Sequence, residues 1–164
     1  MIDFKQAEKE IAENREEVIQ KLVDFSFTDT LLFWSDDTKI KKIQEEKWAP
    51  VLFWFSKKFN IKLEKTDKLD VPEGNQRYRN EMEAVMDRLP IKKLTAFYFI
   101  SVRLKSTLLA LAMVEGQISA EEAFELSYLE EIHQNEIWGT ESKSFYARNQ
   151  VKKDIEEIEE YLKK

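Results

Sequence analysis

The stretch Leu104–Gly139, LKSTLLALAMVEGQISAEEAFELSYLEEIHQNEIWG, decides how this chain is read. Its first part is apolar nearly all round. A helix with that pattern has to be covered on every side. Gly116 then supplies the left-handed residue that commonly ends a helix. Ser119, with Glu122 three residues on, forms a capping box that opens the next helix. That helix is expected to run to Trp138 and stop at Gly139. The stretch therefore predicts a buried central helix, a glycine turn and a capped helix with an acidic, tryptophan-bearing end.

Working outward, the pattern stays helical. Ala7, Ile11, Val18, Leu22 and Phe25 recur at helical spacing and predict one helix over Phe4–Asp24. Residues 26–34 are aromatic and β-branched and fit either an extended piece or a helical turn. Asp36, Asp37 and Thr38 can cap a helix running to about Lys47. Pro50 suits a first helical position, so Pro50–Phe59 is expected to be a new or kinked helix. Residues 60–71 read as a surface loop, and Pro72-Glu73-Gly74-Asn75 is a turn signal. Helices follow over about Gln76–Arg88, Ile91–Glu115 and Ser142–Leu162. The fold class expected is all-α: one domain over residues 1–164, with six or seven helices in an irregular, orthogonal bundle around the apolar helix at about 91–115.

Composition supports this reading. The chain has 164 residues, three glycines and three prolines. So few breakers favour long helices. With no cysteine, disulfides and thiolate metal sites are excluded. The one apolar run long enough to suggest a membrane span is Leu94–Val114. Arg103 and Lys105 sit at its middle, where charge in lipid is costly, so a buried helix is preferred and no membrane insertion is expected. The net charge of −6 arises entirely after residue 119: residues 1–119 carry 20 Lys+Arg and 20 Asp+Glu, residues 120–164 carry 6 and 12. Nucleic-acid binding would need a basic face and is not expected.

Searches for chemistry fail. Neither GxxxxGK[ST] nor GxGxxG occurs, which argues against a phosphate loop. His133 is the only histidine. Glu130-Glu131-Ile132-His133 contains E-x-x-H, but a di-iron bundle needs a second copy. No cofactor or metal is expected, nor enzymatic activity. Arg103 and Lys105 are the notable charges, because a buried cation must find a carboxylate or reach solvent with its stem. Asp29, Glu131 and Glu136 are the candidate partners. Trp138, beside acidic residues, is a candidate contact, since Trp is enriched in binding hot spots.

These residues carry a resemblance. Lys105-Ser106, then LLALAMVEGQIS, EEAFELSYLEE and Gln134–Gly139 resemble the C-terminal signature of the ATP-twelve family, chaperones of F-type ATP synthase assembly in mitochondria and α-proteobacteria. Thr28-Asp29-Thr30-Leu31 resembles that family's TDTL, and Trp48-Ala49-Pro50 its W-D-P. Leu89-Pro90 resembles the entry to its long helix, and Asn14-Arg15 falls where the family has an arginine-containing first helix. The resemblance covers nearly the whole chain. It implies a non-enzymatic chaperone that binds the free α subunit and shields it until the β subunit arrives. It also implies a monomer in the bacterial cytoplasm or the equivalent mitochondrial matrix, and the lack here of the family's β-rich N-terminal domain. The partner-binding residues it points to are Glu131, Glu136, Trp138 and Glu141. A His-Asp stretch of the family is replaced here by TESKSFYAR, so no role carries over for it. Two other readings compete: an enzyme acting through glutamates, and a helical interaction module with an unrelated partner.

Overall fold

The computed structural model describes residues 2–62, 76–132 and 142–164, the last segment with side chains from residue 147. The helices are α1 (Phe4–Glu13), α2 (Arg15–Ser26), α3 (Thr38–Phe59), α4 (Gln76–Asp87), α5 (Ile91–Leu104), α6 (Thr107–Val114), α7 (Ala120–Ser127) and α8 (Ser142–Lys163). A 3-10 turn spans Thr30–Leu32. The fold is all-α, as expected, but it has more helices than six or seven because two long ones are broken.

The first break is at Asn14. Its backbone leaves the helical region (φ −122°, ψ 29°), and its side-chain amide donates to the Glu10 carbonyl at 2.9 Å. Short amide side chains compete in this way with the helical ladder. Arg15, next in sequence, reaches across to the end of α4 and donates to the carbonyls of Asp87 (3.0 Å) and Leu89 (2.6 Å). A cation on orphan carbonyls at a helix C-terminus is stabilising.

The second break corrects the central expectation. Residues 91–115 are not one helix. Lys105 adopts the left-handed conformation (φ 55°, ψ 34°) and ends α5. That conformation is unfavourable for a residue with a Cβ. Ser106 then caps α6, its hydroxyl accepting from Leu109 N at 3.1 Å. All eight residues of α6 are buried. The helix apolar all round is thus this short one, enclosed by α2, α3, α5, α7 and α8. Lys105 stands at a corner rather than inside a helix.

Pro50 does not begin a new helix. α3 runs through it from Thr38 to Phe59. Asp37 caps its start, accepting from Lys39 N (2.9 Å) and Ile40 N (3.2 Å), and Asn60 ends it in the left-handed region. The undecided residues 26–34 hold the 3-10 turn. Gly116 is left-handed as expected (φ 76°), and Ser119 accepts from Glu122 N at 3.1 Å. α7 ends earlier than expected, at Ser127, with residues 129–132 helical beyond it. The chain ends are tied together. Phe4 stacks on Tyr161 of α8 at 4.1 Å and meets Phe99 of α5 edge-on, and the Ile2 amide donates to Glu157.

Candidate functional site

The break at Lys105 is held by the loop before the 3-10 turn. Asp29 is fully buried. One carboxylate oxygen accepts from Leu31 N (2.9 Å) and the Ser106 hydroxyl (2.8 Å). The other accepts from the Thr107 hydroxyl (3.0 Å) and Leu108 N (2.8 Å). Asp29 therefore caps its own turn and the N-terminus of α6 at once, where helix dipole and free N–H groups both favour an anion. Thr30 completes the joint: its amide (3.0 Å) and hydroxyl (2.8 Å) both donate to the Lys105 carbonyl. These two bonds offset the strain of the left-handed lysine. Burial pushes the Asp29 carboxyl above the usual carboxylate range, opposed by the four hydrogen bonds.

Asp29 was an expected ion-pair partner for Arg103 or Lys105. Its recorded partners are instead hydroxyls and backbone amides. Arg103 pairs with Asp154 of α8 at 2.9 Å, and its guanidinium lies 5.3 Å from the Phe99 ring centroid. Nothing in the sequence links residues 103 and 154. Their meeting depends on how α8 folds back on α5.

Beside this joint lies a cleft of about 420 Å³, walled by Thr30, Phe33, Trp48, Lys105, Tyr128 and Glu131. Arg103, Lys105 and Glu131 thus reach one cleft. Glu131 lies 3.7 Å from the Arg148 guanidinium of α8, and Arg148 is 8% exposed. Two bonds close the floor. Trp48 is 2% exposed and donates its indole N–H to the Leu126 carbonyl at 2.8 Å. Ser127 donates to the Leu104 carbonyl at 2.8 Å. Trp48 also meets Trp34 edge-on at 6.4 Å. Glu136, Trp138, Glu141 and His133 lie outside the described residues. Sequence reasoning missed Asp154 and Arg148 as ionic partners, and Trp48 as the tie between α3 and α7.

Arg15, Asp29 and Trp48 thus each join two separate elements. All three lie in residues 1–56, which match the family profile described as ATP12 chaperone protein. Over these residues the chain resembles the ATP12 family. Over 150 residues it is 28% identical to Protein atp12, mitochondrial, of Schizosaccharomyces pombe, covering 85% of this chain and 49% of that one. It spans about half the length of this curated relative. Among solved structures, Atp12 from Paracoccus denitrificans shares the fold at a TM-score of 0.88 and 24% identity, over 95% of this chain and 67% of that one. A mutant of the same Paracoccus protein superposes at a TM-score of 0.89 and 23% identity, over the same shares. The matching profile is described as that of a chaperone protein. The fission yeast relative is named as mitochondrial. Among the described residues, no helix is long and apolar enough to cross a membrane.

Proposed function

We propose that this chain is an assembly chaperone for the F-type ATP synthase. It binds the free α subunit of the catalytic head and keeps it from aggregating until β arrives. The observation that carries this reading is the ATP12 family match, and two of the stretches that carry the resemblance, Thr28–Leu31 and Lys105-Ser106, meet at one joint. An unassembled subunit exposes an apolar interface patch that promotes aggregation. A chaperone must cover that patch exchangeably, which suits a rigid helical scaffold with an acidic edge.

Glu131, Glu136, Trp138 and Glu141 are the proposed contact residues, in a chain acting as a monomer in the bacterial cytoplasm or its mitochondrial equivalent. Incubating the chain with isolated α and β subunits tests this. Capture of α but not β, with less light scattering from α alone, is the expected result. Glu136→Lys should weaken capture while the melting temperature stays unchanged. Co-purification of a different reproducible partner, with no α recovered, would favour an interaction module of another kind.

A further inference from the structure

A second surface lies away from the Lys105 joint. α3 and α7 flank a groove of about 480 Å³. Its apolar lining is Pro50, Val51, Ile118 and Leu126, and its rim carries Glu46, Glu122 and Glu125 with a single cation, Lys47. The three carboxylates are exposed. Among the described residues none of them forms an ion pair, and the one recorded contact is a 3.3 Å bond from the Ser119 hydroxyl to Glu122. One turn beyond Pro50 on α3, just outside the residues that line the groove, Phe53 is 65% exposed. Pro50 adds a third feature. It has no N–H, so the Glu46 carbonyl, on the groove wall, lacks its usual helical donor.

Apolar floor, exposed aromatic ring, excess carboxylates and a backbone acceptor without its helical donor together define complementary chemistry. The occupant has to bring apolar side chains and surplus positive donors. We propose that the α3–α7 groove docks an amphipathic segment of a protein client whose apolar face is flanked by Lys or Arg. Helix-in-groove recognition places apolar anchors at helical spacing in such a channel, and the charge match sets orientation and association rate. This surface is distinct from the Glu131 edge and does not depend on the client being the ATP synthase α subunit.

A titration of the isotope-labelled chain with a short amphipathic Leu/Lys peptide, followed by amide NMR shifts, tests the proposal directly. Expected are saturable shifts confined to residues 46–53 and 117–126, and none with the matching Leu/Glu peptide. The double variant Glu122→Gln, Glu125→Gln keeps a residue able to complete the capping box. It should weaken binding roughly five- to tenfold, the size expected for losing two exposed charge pairs. Phe53→Ser, at an exposed position, should weaken it as well. Shifts centred on residues 127–132, equal binding of the Leu/Glu peptide, or unchanged affinity in both variants would each overturn the proposal.

Discussion

Two groups of carboxylates in this molecule behave in opposite ways. At the Lys105 joint, one buried carboxylate takes four donors. In the α3–α7 groove, three exposed carboxylates share one hydroxyl contact among the described residues. A buried anion without partners costs several kcal/mol, so Asp29 can exist only where the fold saturates it. An exposed anion stays hydrated and costs nothing to leave open. Asp29 is thus committed to architecture, whereas the groove carboxylates remain available for a partner. TDTL, one of the motifs that point to the family, belongs to the first group.

The sharpest way to break this contrast is Asp29→Ala. It strands two buried N–H groups, Leu31 and Leu108, at about 1–3 kcal/mol each, so a loss of roughly 2–6 kcal/mol is expected in urea unfolding. Asp29→Asn should not rescue the fold. Each carboxylate oxygen faces one backbone N–H, so either amide orientation sets an NH₂ against a donor. A melt within error of the wild type for either variant would show that the joint is not what holds α5 and α6 apart.

Trp48→Phe comes next. It removes the donor to the Leu126 carbonyl while keeping an aromatic ring. A destabilisation of about 1–3 kcal/mol is expected for the stranded acceptor. Tryptophan fluorescence during unfolding, corrected for the lost chromophore, or circular dichroism would measure it.

These results bear on how much the sequence disclosed. Gly116, Ser119 and the start of α5 after Pro90 were legible because each is a local rule about one turn of backbone. The fold class was legible from the scarcity of breakers and from helical spacing. The break at Lys105 was not. No glycine or proline marks it, and the left-handed lysine is held by Thr30, 75 residues away, which donates twice to its carbonyl. Asp29 was noticed but assigned the wrong kind of partner. Its location between two threonines hinted at capping, yet the second helix it caps begins at residue 107. Arg103–Asp154 depends on the same long-range folding. Of the proposed partner edge, only Glu131 falls among the described residues.

Tyr78 offers a pH test of the buried region. Burial and the nearby Asp29 charge push its phenol above the ordinary 10.0, against a hydrogen bond with Ser26 that lowers it. The native state therefore keeps this proton while the unfolded chain loses it. Stability from this residue is fully present below pH 10.0 and falls as pH rises beyond it. Tyr78→Phe keeps the ring that meets Phe27 edge-on at 5.1 Å and removes the titrating proton. The variant's alkaline unfolding limb should be flatter than the wild type's. An identical limb would mean that the phenol is not effectively shielded from water.

The smallest effect on stability should come from Phe53→Ser. An aromatic ring 65% exposed, with its main recorded neighbour Lys57 at 5.5 Å from the centroid, contributes little to folding. Surface substitutions of this kind stay within about ±0.5 kcal/mol. A thermal melt should be superimposable on the wild type's. The same change should lower affinity for the basic peptide, so stability and binding separate at this position. At Asp29 they cannot separate, since the joint shapes α6 and everything packed on it. If Phe53→Ser instead lowered stability by as much as Trp48→Phe, the ring would be part of the scaffold. The groove would then lose the exposed anchor on which its role as a docking surface rests.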